Sequence, residues 1–486
     1  MEMQIASRSS YSGLIDLDWS RPLGRWKDPR LVRMARGRSR HMVRFVELEG
    51  KVFAVKELDD RLAVKEYEML KEMADSSLPA VEVACVVLDR KATTGEPLEG
   101  AVVTRFLDYA LPYTYLLRRD GWSQSQRRLI DAAAVLLVQL HLEGFWWGDF
   151  SLGNALFRRD AGELRAYLVD AETAERHEKL SDGQRRYDLD IAVENMAGGL
   201  ADLVAAGKVK TDVDPIDVAF QLAERYEALW AEVTSEEEFS TDELWRLEDR
   251  VRRLNALGFD ASELSVVSLV GKDRIRIRPL VVEEGHHGRR LARLTGITVQ
   301  ENQARRLLND LDFYRAELER DRRAPLSEAI AAHRWMTERF EPFVTSIPPD
   351  LAGRLEPAEA YHQYLEHRWF LSEAAGHDVS DAEAMRSFFD SVLRPRPEEK
   401  IVFDEPTQEL PITWFAPSTD RPLNAPEDPN APEDQSGGET SPYQLSRSGS
   451  PRTSVEVGGD GGGGSGDGGS GDGGVGSDRV RPAISG

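Results

Sequence analysis

The sequence has 486 residues, of which 85 are acidic and 62 basic, for a formal net charge of −23. Its length predicts two or three folded domains, and its acidic balance argues against a whole-protein affinity for nucleic acid or an anionic membrane. The single cysteine, Cys85, excludes an intrachain disulfide and a thiolate metal cluster, and the lack of a signal-peptide pattern or a long apolar run predicts a cytoplasmic protein without a membrane span.

The first predicted elements are a β-hairpin and a helix. "HMVRFVELEGKVFAVKELD" (residues 41–59) alternates apolar and polar residues on both sides of Glu49-Gly50, which is typical of a hairpin. The following "RLAVKEYEMLKEMA" has helical periodicity, and two more strands are predicted in "AVEVACVVLD" and "GAVVTRFLD". The predicted apolar face of the helix consists of Leu62, Tyr67, Leu70 and Met73.

A second set of elements surrounds the stretch "WWGDFSLGNALF" (146–157). The preceding "SQSQRRLIDAAAVLLVQLHLEG" predicts a helix that ends at Gly144. Two short strands are predicted after the stretch, in "NALFRRD" and "LRAYLVD", and the second strand leads to Asp170. Strands first and helices after predict an α+β fold.

The C-terminal half divides into a helical part and a tail. From about 216 to 392 the pattern is mostly amphipathic helix, interrupted by two β runs around Gly271-Lys272-Asp273. From 393 to 486 the sequence is rich in Pro, Gly and Asp and cannot bury enough apolar surface to offset chain entropy. We therefore predict a second, mainly helical domain and a disordered tail.

The order of Asp149, Asn154 and Asp170 indicates chemistry. An asparagine five residues after an aspartate, followed by a hairpin and a second aspartate, is the order of a protein-kinase-like centre. In such a centre one carboxylate orients the attacking hydroxyl and accepts its proton, while an amide oxygen and the second carboxylate hold metal ions. All three side chains must converge on one phosphoryl group.

The upstream strands supply candidates for binding the nucleotide phosphates. Lys56 in "VFAVK" lies on the second hairpin strand, and Glu66 on the next helix is the best partner for it, with Glu68 as the fallback. The loop "ARGRSRH" before the hairpin is expected to cover the phosphates, since Gly37 and Ser39 let backbone amides approach them. This loop lacks the full G-x-G-x-x-G pattern.

Each candidate has a structural alternative. Asp149 alone is typical of a turn or a helix cap, and Lys56 alone of a solvated strand lysine. The joint order of the set favours the functional interpretation over the structural one. The stretch "YDLDIAVENMAGG" supplies Asp188 or Asp190 as a buried carboxylate that braces the Asp149 loop.

The sequence resembles a known family. Residues from about 20 to 215 resemble the lipopolysaccharide-kinase-like branch of the protein-kinase-like superfamily, related in motif to RIO kinases, Kdo and heptose kinases and aminoglycoside phosphotransferases. The chain is also similar to high-GC bacterial proteins in which this domain precedes a C-terminal domain of unknown function. The matching segments are "LDWSRPLGRW", "GDFSLGNALFRRD", "YLVDAETAE", "LSDGQRRYDLDIAVENMAGGL", "GHHGRRLARLTG" and "VQENQARRLLNDL".

The resemblance implies a two-lobe kinase-like fold in residues 1–215, with a small lobe at about 20–108 and a large lobe at about 109–215. It implies ATP and Mg²⁺ as cofactors, and an unidentified hydroxyl acceptor. The roles that it implies are Asp149 as catalytic base, Asn154 and Asp170 as metal ligands, and Lys56 with Glu66 as the nucleotide clamp. The C-terminal domain or the tail is expected to bind any protein partner.

The sequence also departs from the kinase pattern. Trp147 stands where kinases have a histidine, and "DAE" at 170–172 replaces D-F-G. The short distance from Asp170 to the next helix leaves no room for a long activation loop, which favours a sugar, lipid or small-molecule acceptor over a protein. These departures keep open an alternative, a nucleotide-binding pseudokinase that acts as an interaction protein.

Two further candidates are weaker. "VVEEGHHGRR" suggests a metal site, but adjacent histidines point in different directions, so a structural turn or an anion-binding turn is the better interpretation. The basic stretches "RIRIRP" and "GRRLARLTG" suggest a nucleic-acid module. Solvated faces and ion pairs within the chain explain them better in so acidic a protein.

Overall fold

The structure is a computed structural model that describes residues 3–7, 11–32, 41–119, 122–208, 214–235, 237–240, 260–269, 274–282 and 286–400. Several predicted features therefore lie outside the described residues: the loop with Gly37 and Ser39, the turn at 271–273, and the tail beyond residue 400. Residues Met1–Glu409 form one compact unit. Among the described helices, none combines the length and the apolar composition needed to cross a membrane.

The N-terminal part is an antiparallel sheet with one helix. Its strands are β1 (Gln4–Ser7), β2 (Leu31–Val32), β3 (Met42–Leu48), β4 (Lys51–Leu58), β5 (Val83–Leu88) and β6 (Gly100–Arg105), in the spatial order β1-β5-β6-β4-β3-β2. Helix α1 (Asp60–Asp75) packs on β5 and β6. The predicted hairpin is confirmed as β3–β4, and its turn places Glu49 and Gly50 at positive φ.

The two faces of this sheet pack against different parts of the chain. Phe53 and Val55 on β4 belong to a hydrophobic cluster with Trp19 and Trp26 of the N-terminal segment. Because side chains alternate along a strand, Lys56 lies on the opposite face, the face that α1 covers. This alternation brings the lysine to the helix.

The buried face of α1 differs in part from the prediction. Leu70 and Met73 are buried as predicted, together with Ala63 and Glu66, whereas Leu62 is 37% exposed. If carboxylates are assumed to face the solvent, the apolar face of the helix is predicted on the side away from Glu66. Glu66 is buried because its carboxylate forms an ion pair with Lys56.

The next part is mainly helical. Its elements are α2 (Tyr113–Arg119), α3 (Trp122–Leu142), β7 (Phe145–Trp146), β8 (Ala155–Asp160), β9 (Glu163–Leu168), β10 (Glu175–Arg176), α4 (Asp182–Ala205) and α5 (Pro215–Thr234). Strands β8 and β9 form the second predicted hairpin, and β7 pairs with β10. Helices α3, α4 and α5 share one hydrophobic cluster, to which α5 contributes Leu222 and Tyr226.

Within the described ranges, the C-terminal part begins with the strands β11 (Glu237–Ser240), β12 (Asp260–Leu269) and β13 (Arg274–Val282), in the order β11-β13-β12. Helices follow: α6 (His286–Thr295), α7 (Glu301–Arg322), α8 (Glu328–Trp335), α9 (Glu341–Ser346), α10 (Pro357–Ala375) and α11 (Asp381–Phe388). We call residues 286–400 the helical region. Its core is aromatic, with Trp335, Phe343 and Tyr361 among its members.

The helical region continues into the segment that the sequence assigns to the tail. Leu393 belongs to the aromatic core, and Glu399 is buried. The backbone of Glu399 and of Lys400 donates to the carbonyl of Gly353. Leu393 and Glu399 are therefore packed, whereas most other residues of 393–400 are exposed. The predicted domain boundaries at 215 and 392 stay predictions.

Candidate active site

A buried aspartate holds the loop at residues 147–154. Asp188 on α4 is 0% exposed, and its carboxylate accepts hydrogen bonds from the backbone N–H groups of Trp147 and Gly148, both at 2.7 Å. The Nε2 atom of His141 lies 3.0 Å from the same carboxylate. Of the two predicted bracing residues, Asp188 is thus the one that contacts the loop, whereas Asp190 is exposed.

Asp149 and Asn154 meet within this loop. The Nδ2 atom of Asn154 donates to the carboxylate of Asp149 at 3.2 Å and to its backbone carbonyl at 3.0 Å. Asn195 on α4 donates to the other carboxylate oxygen at 3.4 Å and to the carbonyl of Phe150 at 2.9 Å. The carboxylate of Asp149 is therefore oriented from two sides.

Trp147 connects this loop with the chain beyond β9. The indole N–H of the fully buried Trp147 donates to the backbone carbonyl of Asp170 at 2.9 Å. In return, the hydroxyl of Thr173 donates to the carbonyl of Trp147 at 2.8 Å. At the base of the hairpin, the N–H of Val169 donates to the carbonyl of Asn154 at 3.0 Å. These bonds connect the loop that carries Asp149 and Asn154 to the segment that carries Asp170.

Lys56 binds three carboxylates. Its Nζ atom lies 3.1 Å from Glu66 Oε2, 2.8 Å from Asp170 Oδ2 and 3.0 Å from Glu172 Oε2. His41 Nε2 lies 2.9 Å from the same oxygen of Glu172. The fallback residue, Glu68, is exposed, so Glu66 is the glutamate that pairs with the lysine.

Burial and charge act in opposite directions in this cluster. Burial raises the pKa of the Glu66 carboxyl above its ordinary value, against the opposing effect of the Lys56 ammonium. Burial lowers the pKa of the Lys56 amine, but the charges of Glu66 and Asp170 outweigh it, so that pKa is raised overall. Lys56 is therefore a permanent cation at neutral pH.

The donor atoms of the site fit a hard divalent cation. Glu66, Asp170 and Glu172 each offer a carboxylate oxygen, and these oxygens lie within 4.8 Å of one another. Because Asn154 uses its amide nitrogen to bind Asp149, its amide oxygen is the atom left to act as a ligand. Mg²⁺ prefers carboxylate and amide oxygens of this kind.

Three residues of the site were not predicted. Glu172 is visible in the sequence only as the residue that replaces the glycine of D-F-G, and His41 only as the end of the loop before the hairpin. Asn195 has no local signal, because packing of α4 beneath the loop sets its distance from Asp149. Conversely, the predicted phosphate-binding residues Gly37 and Ser39 lie outside the described residues.

Where it is described, the stretch "VVEEGHHGRR" covers the end of β13 and the first residues of α6. Glu301 accepts hydrogen bonds from the backbone N–H groups of His287 and Gly288, at 2.9 and 3.0 Å, and its carboxylate lies 2.6 Å from His287 Nδ1. It therefore satisfies amides at the start of α6, the usual role of a helix cap.

The two-lobe arrangement confirms the predicted protein-kinase-like fold. A lysine on a sheet strand pairs with a glutamate on the following helix, and a helical lobe carries an aspartate–asparagine loop and a hairpin that leads to a second aspartate. This combination defines kinase-like folds. The helical region follows, as the sequence predicts.

Comparisons with known proteins find two kinds of similarity. Residues 228–393 match the family described as "Domain of unknown function (DUF4032)". Among solved structures, the chain is similar to WaaP in complex with acyl carrier protein, with 17% identity and a TM-score of 0.29 over 52% of this chain and 99% of that one. It is also similar to aminoglycoside-3'-phosphotransferase of type VIII, with 17% identity and a TM-score of 0.30 over 47% and 95%. No curated protein matches.

Proposed function

We propose that the chain is an ATP-dependent phosphotransferase with a hydroxyl group as acceptor. The observation that carries the proposal is the position of Lys56, whose ammonium lies within 3.1 Å of both Glu66 and Asp170. An ammonium held by a helical glutamate beside a metal-binding aspartate is the arrangement that orients the phosphates of ATP in kinases.

In the proposed reaction the acceptor oxygen attacks the γ-phosphorus, the bond to the β–γ bridging oxygen breaks, and ADP leaves. Asp149 accepts the proton of the attacking hydroxyl, and Asn195 and Asn154 hold its carboxylate in place. Asn154 and Asp170 are the proposed Mg²⁺ ligands, and the bound ion would neutralise charge on the phosphates. When ATP binds, Lys56 gives up one of its carboxylate contacts and binds a phosphate oxygen instead.

The acceptor is proposed to be a sugar, a lipid or another small molecule. The chain from Asp170 to the start of α4 is short, and β10 within it pairs with β7. A segment fixed in this way offers little surface for docking a peptide.

A non-catalytic nucleotide-binding protein is the second candidate, and the ion pairs of Lys56 favour it. Three carboxylates hold the ammonium, so ATP must compete with them for it. In this alternative the protein binds the nucleotide and acts through protein partners.

Melting and turnover measurements test the proposal. We expect Mg²⁺ and ATP together to raise the melting temperature of the wild type, and Asp170→Ala to abolish the effect. The rate at which ADP is formed should fall by a factor of about 10² to 10⁴ in Asp149→Asn. Asp190→Asn is the matched control, because Asp190 is exposed on α4 and carries the same change.

Retention of turnover in Asp149→Asn would exclude Asp149 as the base. If ATP raises the melting temperature of the wild type but is not turned over, the non-catalytic candidate is favoured. If ATP changes neither, both the phosphotransferase and the non-catalytic nucleotide-binding candidate are excluded.

A further inference from the structure

At the tip of the β8–β9 hairpin, Asp160 and Ala161 are buried and contact the helical region. The carboxylate of Asp160 accepts hydrogen bonds from the backbone N–H groups of Gln303 and Asn302, at 2.8 and 3.3 Å, and from Asn302 Nδ2 at 3.1 Å. These amides belong to the first turn of α7, whose N-cap residue, Gln300, forms no side-chain cap. Asp160 is 3% exposed. It therefore caps a helix that lies more than a hundred residues away in the chain.

Two arginines next to Asp160 extend the contact. Arg159 forms a bidentate ion pair with Glu399, with distances of 2.9 and 3.0 Å, and both side chains are largely buried. Arg158 lies 2.7 Å from Glu356. Bidentate pairs fix orientation as well as distance, so the helical region holds the hairpin tip in one geometry.

The other end of the hairpin carries the proposed metal ligands. Asn154 directly precedes β8, and Asp170 follows shortly after β9. The strands pair without interruption from Ala155–Leu168 to Asp160–Glu163. Because rigid secondary elements carry coupling between distant sites, we expect a displacement at the tip to change the position of both ligands.

The chain segment between β6 and α2 adds a second contact. The N–H of Tyr109 donates to the carbonyl of Lys400 at 3.1 Å. Two residues further on, Leu111 exchanges backbone hydrogen bonds with Phe157 of β8 at 2.7 and 3.0 Å. The end of the helical region thus binds both the hairpin and the segment that joins the two lobes.

We propose that the helical region positions the metal-binding end of the hairpin, and that Arg159 and Asp160 are positioning residues of the phosphotransfer site. Both side chains contact the helical region, and through the ladder they set the position of Asn154 and Asp170 relative to the rest of the site. This inference rests on the proposed function of the site. It gives residues of the helical region a role in tuning affinity for Mg²⁺.

The test reverses the Arg159–Glu399 ion pair in the full-length chain. Arg159→Glu and Glu399→Arg are each expected to raise the Mg²⁺ concentration for half-maximal ATP-dependent stabilisation, by a factor of about 10 to 100, as loss of residues that support metal ligands does. Hydrogen exchange of the Val169 amide, which bonds Asn154, is expected to become faster. The double variant, with the pair reversed, should restore both. Arg290→Glu is the control, because its partner, Glu328, lies inside the helical region.

The Ala161 amide, which donates to Glu359 at 2.9 Å, reports whether the tip has opened. Faster exchange at Ala161 with unchanged exchange at Val169 and unchanged Mg²⁺ dependence would overturn the inference. If the wild type shows no response to ATP and Mg²⁺, the proposed function fails, and exchange at Val169 alone decides whether tip and base are coupled. If the charge reversals do not fold, Arg159→Lys keeps the charge and removes the bidentate geometry.

Discussion

Trp147 occupies the position at which kinases have a histidine, and its hydrogen bonds connect several parts of the site. Its backbone N–H binds Asp188, its carbonyl accepts from Thr173, and its indole N–H binds the carbonyl of Asp170. A single residue therefore links the loop, the bracing helix and the segment that carries a proposed metal ligand.

Asp188 makes the clearest stability prediction for one residue. Asp188→Ala removes the acceptor for the buried N–H of Trp147, the half-buried N–H of Gly148 and the ring of His141, and each unsatisfied buried donor costs about 1–3 kcal/mol. We expect the free energy of unfolding to fall by about 3 kcal/mol or more, measured by urea denaturation. Asp190→Ala, an exposed change on the same helix, should alter it by less than about 0.5 kcal/mol. Equal effects of the two changes would contradict the bracing role.

Spacing along the chain was enough to predict the residues of the site that belong to one loop or one strand. Asp149 and Asn154 lie in one loop, and Lys56 is placed by strand alternation. Asn195 and Glu172 reach the site only through the packing of α4 and the course of the chain after β9. Their contacts depend on tertiary structure and leave no periodic signal.

At the level of elements, the sequence predicts hairpins and long helices. It predicts less well which of their surfaces are buried against other elements. The β8–β9 hairpin shows both sides of this. Alternation and the Ala161-Gly162 turn identify the strands, whereas the tip residues, Arg158 to Asp160, have the composition of a solvated turn. Burial of that tip depends on partners from α7 and α10, which the local sequence does not contain.

The cap formed by Asp160 predicts a dependence of stability on pH. Burial raises the pKa of the Asp160 carboxyl to about 6, above its ordinary value, although Arg165 and the amides of α7 act in the opposite direction. The folded chain therefore holds this proton more tightly than the unfolded chain does between about pH 4 and pH 6. The stabilising contribution of the proton is present at the acidic end and is lost as pH rises through about 6.

Comparison of the wild type with Asp160→Asn isolates this contribution, because the variant cannot titrate there. We expect the difference in unfolding free energy, wild type minus variant, to decrease by about 2 kcal/mol from pH 4.5 to pH 7.5. Urea denaturation at both values measures it. A difference that increases with pH would mean that the amides of α7 outweigh burial and hold the carboxyl ionised.

Over the whole molecule, the helical region, which includes residues that match the family of unknown function, holds the hairpin that leads to the site. Its charges fit this role: Arg158 and Arg159 are paired with Glu356 and Glu399. Basic residues in a chain of net charge −23 serve here as internal ion pairs. Sequence alone did not predict this contact, since its partners lie far apart in the chain.

Thermodynamic coupling between two sites is reciprocal, so the contact also predicts an effect of nucleotide on the helical region. If the helical region strengthens binding of Mg²⁺ and ATP, their binding must stabilise the cap of α7 by the same free energy, typically about 1–3 kcal/mol. We expect a non-hydrolysable ATP analogue with Mg²⁺ to slow hydrogen exchange of the Asn302 and Gln303 amides, which donate to Asp160. Asp170→Ala, which lacks a proposed metal ligand, should show no such slowing. Protection confined to the residues around Lys56 and Asp170, with unchanged exchange at the start of α7, would mean that the helical region is attached to the site without being coupled to it.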